Sequence, residues 1–147
     1  MPTDSRLPRV LHVLLHLDGL DRPMTSEMIG EMLGANPSLV RRMMGGLRKA
    51  GFVGSTKGHH GGWHLARRLD EISLADVYAA LGAPNLFSVG MSDDAPQCLL
   101  ERAANAATAR ALDQARAHFL AELQGVTVAE LVENARRDIE AFQQGQR

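Results

Sequence analysis

Two clusters of basic side chains, one on a predicted helix and one on a glycine-rich turn, are the chemically suggestive residues of this chain. In the stretch 36–68, NPSLVRRMMGGLRKAGFVGSTKGHHGGWHLARR, a helical spacing of about 100° per residue puts Ser38, Arg41, Arg42, Gly45, Arg48 and Lys49 on one face. A guanidinium forks onto guanine O6 and N7 or bridges phosphate oxygens. Ser38 stands near the helix start, where backbone N–H groups and the helix dipole favour an acceptor such as phosphate. Gly45 has no side chain to hold a ligand off. Lys57, His59 and His60 follow on a tight glycine frame suited to phosphates or to a narrow minor groove. The chemistry is recognition of a polyanion, and duplex DNA is the expected partner.

Three other constellations compete with this one. His12 and His16 lie four residues apart, a spacing that permits shared metal ligation. The zinc-protease motif also needs Glu beside the first His, and Val13 stands there, so two polar-face histidines are the preferred reading. Cys98 follows Pro96 near a predicted helix start, where a thiol can be acidified and made reactive, although a lone cysteine is more often a small buried hydrophobe. Adjacent His59 and His60 lack the regular spacing of a metal site. The glycines at 58, 61 and 62 lie in a hairpin rather than between a strand and a helix, which argues against nucleotide binding. No catalytic triad is present, and the chain is not expected to be an enzyme.

These groups need elements to position them. Helix one is expected over about 6–17, with Leu7, Val10, Leu11, Leu14 and Leu15 as its buried stripe. Helix two begins at Thr25 or Ser26, either of which can cap it, and stops at Gly34. Helix three starts at Asn36-Pro37, a strong cap followed by a proline that loses no hydrogen bond there, and runs to about residue 50. Val40, Met43, Met44 and Leu47 form its apolar face. Two short helices joined by Gly34-Ala35-Asn36 are a helix-turn-helix. Gly45 and Gly46 lower helix stability by about 1 kcal/mol each relative to Ala. Close approach to DNA or to helix two is the expected compensation.

Strands are expected at 52–56 and 63–66, with 57–62 as the hairpin loop. Ser73 and Asp76 suggest a capped fourth helix. An Ala-rich helix over about 97–124, with a stripe of Leu112, Ala115, Phe119 and Leu123, and a last helix over about 128–143 complete the chain. The fold class is therefore mainly α with a small β-hairpin wing. The expected organisation is a winged helix-turn-helix domain over 1–82, a linker over 83–96 and a helical dimerisation or sensor region over 97–147. The candidate DNA-contacting set is Thr25, Ser26, Asn36, Pro37, Ser38, Arg41, Arg42, Gly45, Arg48, Lys49, Lys57, His59 and His60.

Composition agrees. The hydrophobic fraction is 45% with only 4% aromatic residues, so aliphatic side chains and seven methionines must fill the core. Net charge is -1, but residues 1–69 hold 10 Lys and Arg against 5 Asp and Glu, while residues 70–147 hold 6 against 12. A basic half joined to an acidic half suits a DNA-facing module attached to something that avoids DNA. A single cysteine rules out an internal disulfide, and no apolar run has membrane length, so a cytoplasmic protein with no membrane partner is expected.

The runs SRLPRVLHVLLHL, TSEMIGEMLGANPSLVRRMMGGLRKAGFV, KGHHGGWHLAR and ISLADVYAAL, in that order, resemble the Rrf-two (BadM-type) family of bacterial transcription regulators, which includes IscR-like and NsrR-like proteins. The resemblance is close over about residues 5–82. Its most specific part is the wing with Gly61, Gly62, Leu65, Ala66 and Arg67, followed by Ile72 to Val77. It implies a homodimer held by the long helix, bound to a pseudo-palindromic operator and acting as a repressor. Iron–sulfur members carry three cysteines at the start of that helix. This chain has Cys98 alone and is more similar to a single-cysteine branch, which Pro96-Gln97-Cys98-Leu99 matches in part. No cofactor is expected. A mixed Cys98 and His12 iron–sulfur or metal site is the sensor that the resemblance leaves open. The alternatives are a winged-helix protein-interaction module without DNA binding, and a metal- or redox-responsive protein using Cys98 and His12.

Overall fold

A computed structural model describes residues 3–92 and 97–145. Among them are helices α1 (Arg6–Asp18), α2 (Ser26–Leu33) and α3 (Pro37–Lys49), strands β1 (Val53–Thr56) and β2 (Gly62–Leu65), a 3-10 turn (Leu69–Glu71), and helices α4 (Leu74–Ala80), α5 (Leu99–Gln124) and α6 (Val128–Gly145). The mainly helical class with a two-stranded wing is as the sequence predicts.

Helix starts follow local chemistry. The Thr25 hydroxyl accepts from the Met28 N–H at 3.1 Å, and the Asn36 side chain accepts from the Ser38 N–H at 2.7 Å with Pro37 behind it. Each bond satisfies a backbone donor that the helix itself leaves open. Ser73 and Asp76 form a reciprocal capping box at α4, and Thr127 with Glu130 does the same at α6. Gly34 ends α2 in the left-handed region at φ 63°.

The core is one cluster. Val10, Val13, Leu14 and Leu17 of α1 pack with Ile29 of α2, with Val40, Met43, Met44 and Leu47 of α3, and with Phe52, Val53, Trp63, Ile72, Val77 and Val128. Burying each of the larger aliphatic side chains contributes about 1.5–3 kcal/mol. The α1 stripe differs from the expected one. Val13 and Leu17 are buried, while Leu7, Leu11 and Leu15 are only half-buried. Positions 10, 13, 14 and 17 satisfy the helical period as well as 7, 10, 11, 14 and 15 do. The helix packs against α3, α4, β2 and α6, and these neighbours bury positions 10, 13, 14 and 17 most deeply.

The hairpin is antiparallel, with Val53 opposite Leu65 and Thr56 opposite Gly62. It is shorter by one residue at each outer end than expected. The loop is Lys57–Gly61. A third segment joins it. Met24, between α1 and α2, exchanges backbone hydrogen bonds with Trp63 at 3.0 and 2.7 Å. Gly62 at φ 148° lies against the Met24 carbonyl, where a Cβ would collide.

At the other end, Leu74 donates to Val126 and Val128 donates to Ile72, both at 2.9 Å, which ties the start of α6 to the start of α4. The segment after α4 is also held. Tyr78 Oη donates to the Pro84 carbonyl, and Ser92 N donates to Asn105 Oδ1 at 3.1 Å. The last part of the expected linker, including Pro96, lies outside the described residues. Helix α5 lies along α4, with Phe119 edge-on to Tyr78 at 5.5 Å, yet none of its residues is fully buried. Of its expected stripe, Leu112, Phe119 and Leu123 are half-buried and Ala115 is exposed.

Candidate nucleic-acid interface

The α3 face is built by its opposite side. Val40, Met43, Met44 and Leu47 are buried, so Ser38, Arg41, Arg42 and Lys49 are turned to solvent. Arg41 is paired with Glu27 of α2 at 3.7 Å, with both side chains more than half exposed. An exposed pair of this kind is worth roughly 0–1 kcal/mol and is readily exchanged for a phosphate. Among the described residues Arg42 and Lys49 form no ion pair. Gly45 faces open space, whereas Gly46 lies directly against the Ala80 carbonyl of α4. The two adjacent glycines therefore have different causes. The second is a helix–helix contact, made with α4 and not with helix two as expected.

The structure gives five of the expected contact residues, Thr25, Ser26, Asn36, Pro37 and Arg48, a structural role. Ser26 is buried, and its hydroxyl accepts from the Trp63 indole N–H at 3.0 Å. Thr25, rather than Ser26, caps α2. Arg48 turns toward the hairpin: its guanidinium lies 5.8 Å from the Trp63 ring centroid and donates to Ser55 Oγ at 3.3 Å. Asn36 and Pro37 are spent on starting α3. A helical wheel shows which side a residue lies on, but not which partner a neighbouring hairpin brings to it.

The wing loop projects Lys57, His59 and His60, all exposed, with Gly58 and His60 at positive φ. The two imidazole rings are in contact, with centroids 4.0 Å apart and planes tilted by 58°. Between the loop and the start of α2 lies a groove of about 530 Å³ lined by Arg22, Thr25, Met28, His59 and His60 among others. Arg22, in the turn between α1 and α2, is not in the candidate set read from the sequence. The bridge from Met24 to Trp63 is what swings that turn against the wing, and no local sequence signal marks it.

Cys98 and His12 are not brought into contact. Cys98 is exposed and is the cap residue of α5, whereas His12 stands on α1 facing α6. The thiol makes no well-formed capping hydrogen bond. The backbone N–H groups of Glu101 and then Leu100 at the open helix end still hold its pKa below the ordinary thiol value. Among the described residues no group of three or more His, Cys, Asp or Glu could hold a metal ion. No helix among them is long and apolar enough to cross a membrane.

The sequence model of Rrf2, described as an iron-dependent transcriptional regulator, matches residues 3–134. The chain is similar to the protein rrf2 of Nitratidesulfovibrio vulgaris, with 31% identity over 55% of this chain and 54% of that one, so it spans about half of that relative's length. It is also similar to YwnA of Bacillus subtilis, assigned as an HTH-type transcriptional regulator, with 35% identity over 65% of this chain and 70% of that one. A crystal structure from Lactobacillus plantarum, likewise assigned as a transcriptional regulator, matches with a TM-score of 0.79 at 23% identity, covering 96% of each chain. That last likeness is one of fold.

Proposed function

The chain belongs to the Rrf2 family of transcriptional regulators, and from that premise we propose that it is a homodimeric, sequence-specific DNA-binding repressor of the cytoplasm. The observation that carries the proposal is the exposed row of Ser38, Arg41, Arg42 and Lys49 on α3, with Gly45 open between them, beside a wing that the bonds between Met24 and Trp63 tie to the start of α2. In this reading α3 enters the major groove. Arg41 and Arg42 read bases or clamp phosphates, and Lys57, His59 and His60 meet the backbone or the minor groove. Thr25 and Arg22 lie beside the same backbone.

The largely exposed surface of α5 supports the dimer. Its 26 residues bury none fully, and Leu99 and Leu100 are 73% and 82% exposed. A second α5 laid against this face would cover them. Two copies related by a two-fold axis present two α3 helices to successive major grooves about 34 Å apart. A bound dimer then blocks the site to other proteins.

The family description names iron, and the residues of this chain do not fit a cluster held by one subunit. It has one cysteine, and that thiol is exposed and apart from the histidines of α1. No step is assigned to such a group. A titration of duplex DNA with the purified chain at several salt concentrations tests the proposal. Affinity should fall by about 10³-fold or more between 50 and 200 mM salt if six or more phosphates are neutralised. Weak binding that is flat in salt would contradict it.

A further inference from the structure

Helix α1 carries His12 and His16 one turn apart, both exposed, with their Nε2 atoms 3.0 Å from each other and ring centroids at 4.7 Å. They open onto a cavity of about 560 Å³ between α1 and α6, shared with Leu15, Val132, Ile139 and Glu140. We propose that this pair chelates a divalent transition-metal ion through its two Nε2 atoms, Cu²⁺ or Ni²⁺ in preference to Zn²⁺.

Two imidazole donors at this spacing suit that ion class. With metal–nitrogen bonds of about 2.0–2.1 Å, a separation of 3.0 Å sets the N–metal–N angle at roughly 91–97°, near the cis angle of square-planar and octahedral sites. Tetrahedral Zn²⁺ would need the nitrogens about 3.3–3.4 Å apart. The general affinity order of divalent ions for imidazole also puts Cu²⁺ above Ni²⁺ and Zn²⁺. The opposite face of α1 is locked into the core by Val10, Val13, Leu14 and Leu17, so the backbone that aims the two rings is fixed before any ion arrives.

Without metal, the same separation is a hydrogen bond in which one ring donates Nε2–H to the other. Coordination needs both rings as Nδ1–H tautomers, so one ring moves its proton between its own nitrogens and none is lost. Among the described residues no third His, Cys, Asp or Glu completes the set, so water fills the remaining positions and the ion is exchangeable. Glu140 lines the same cavity and offsets the added charge, and Arg136 beside it is paired with Glu133 at 3.5 Å. The site does not depend on DNA reading and can be tested apart from it.

Equilibrium dialysis of the full chain against Ni²⁺ and Cu²⁺ is the test. One ion per chain is expected. His12→Gln and His16→Gln should each weaken binding at least tenfold. The double variant H59Q/H60Q, which removes the other imidazole pair, should leave it unchanged. The paramagnetic resonance spectrum of the Cu²⁺-loaded wild type should show two equatorial nitrogens, a readout that needs no variant. Absence of saturable binding, survival of binding in either α1 variant, its loss in the wing variant, or tighter binding of Zn²⁺ than of Cu²⁺ would overturn the proposal.

Discussion

The indole N–H of Trp63, in the second wing strand, donates to the hydroxyl of Ser26, the first residue of α2, at 3.0 Å. Both residues are buried. The bond fastens the wing to the helix-turn-helix. Ser26→Ala leaves the indole donor buried without a partner, which costs about 1–3 kcal/mol. A denaturant titration should show the midpoint shifted down with an unchanged slope.

Gly45 and Gly46 should respond oppositely to the same substitution. Gly45→Ala places a methyl in open space and gains helix propensity, raising stability by up to about 1 kcal/mol. Duplex affinity should fall, because the methyl stands on the face proposed to approach DNA. Gly46→Ala drives a methyl into the Ala80 carbonyl and should destabilise the fold by about 1–3 kcal/mol. Thermal melts of the two variants, read beside their duplex affinities, separate the two roles.

The arginines of α3 should divide as well. Arg42→Ala and Arg41→Ala are expected to cost about 1–3 kcal/mol of operator binding and to relax specificity where a base is read, while Lys57→Ala should weaken all sequences alike. Arg48→Ala should act first on stability, by roughly 0.5–1 kcal/mol, through its lost place over Trp63. Competition binding with specific and random duplexes, together with melting, checks all four.

Cys98 should alkylate as an acidified thiol. The N–H groups of Glu101 and Leu100 favour the thiolate, so its reactive form persists to lower pH than in an ordinary cysteine. The iodoacetamide rate plotted against pH should have its midpoint below that of a free cysteine peptide. An unshifted midpoint would remove the influence of the helix end.

Much of the architecture was legible because it is local. Asn36-Pro37, Gly34, and Ser73 with Asp76 each announce a helix end through short-range bonds, and all three stand as the sequence predicts. What was not legible depends on contacts far apart in the chain. Ser26 turns inward because Trp63, 37 residues on, reaches it. Gly46 is needed because Ala80 packs there. Arg22 joins the wing groove only through the pairing of Met24 with Trp63. On α1 the expected Val10 and Leu14 are buried, but two rows satisfy the period, and only the neighbours decide that Val13 and Leu17 go deeper than Leu7, Leu11 and Leu15, which pack half-buried against the same core.

In the proposed function, two copies of α3, carried by one dimer, read a duplex with two-fold symmetry. Selection of bound sequences from a randomised duplex pool by the purified full chain tests it most directly. The expected result is an enriched inverted repeat with half-sites about one helical turn, or a multiple of it, apart, and loss of that enrichment in the Arg41→Ala, Arg42→Ala double variant. Recovery of no motif, of a single unrepeated half-site, or of the same motif by the double variant would contradict it.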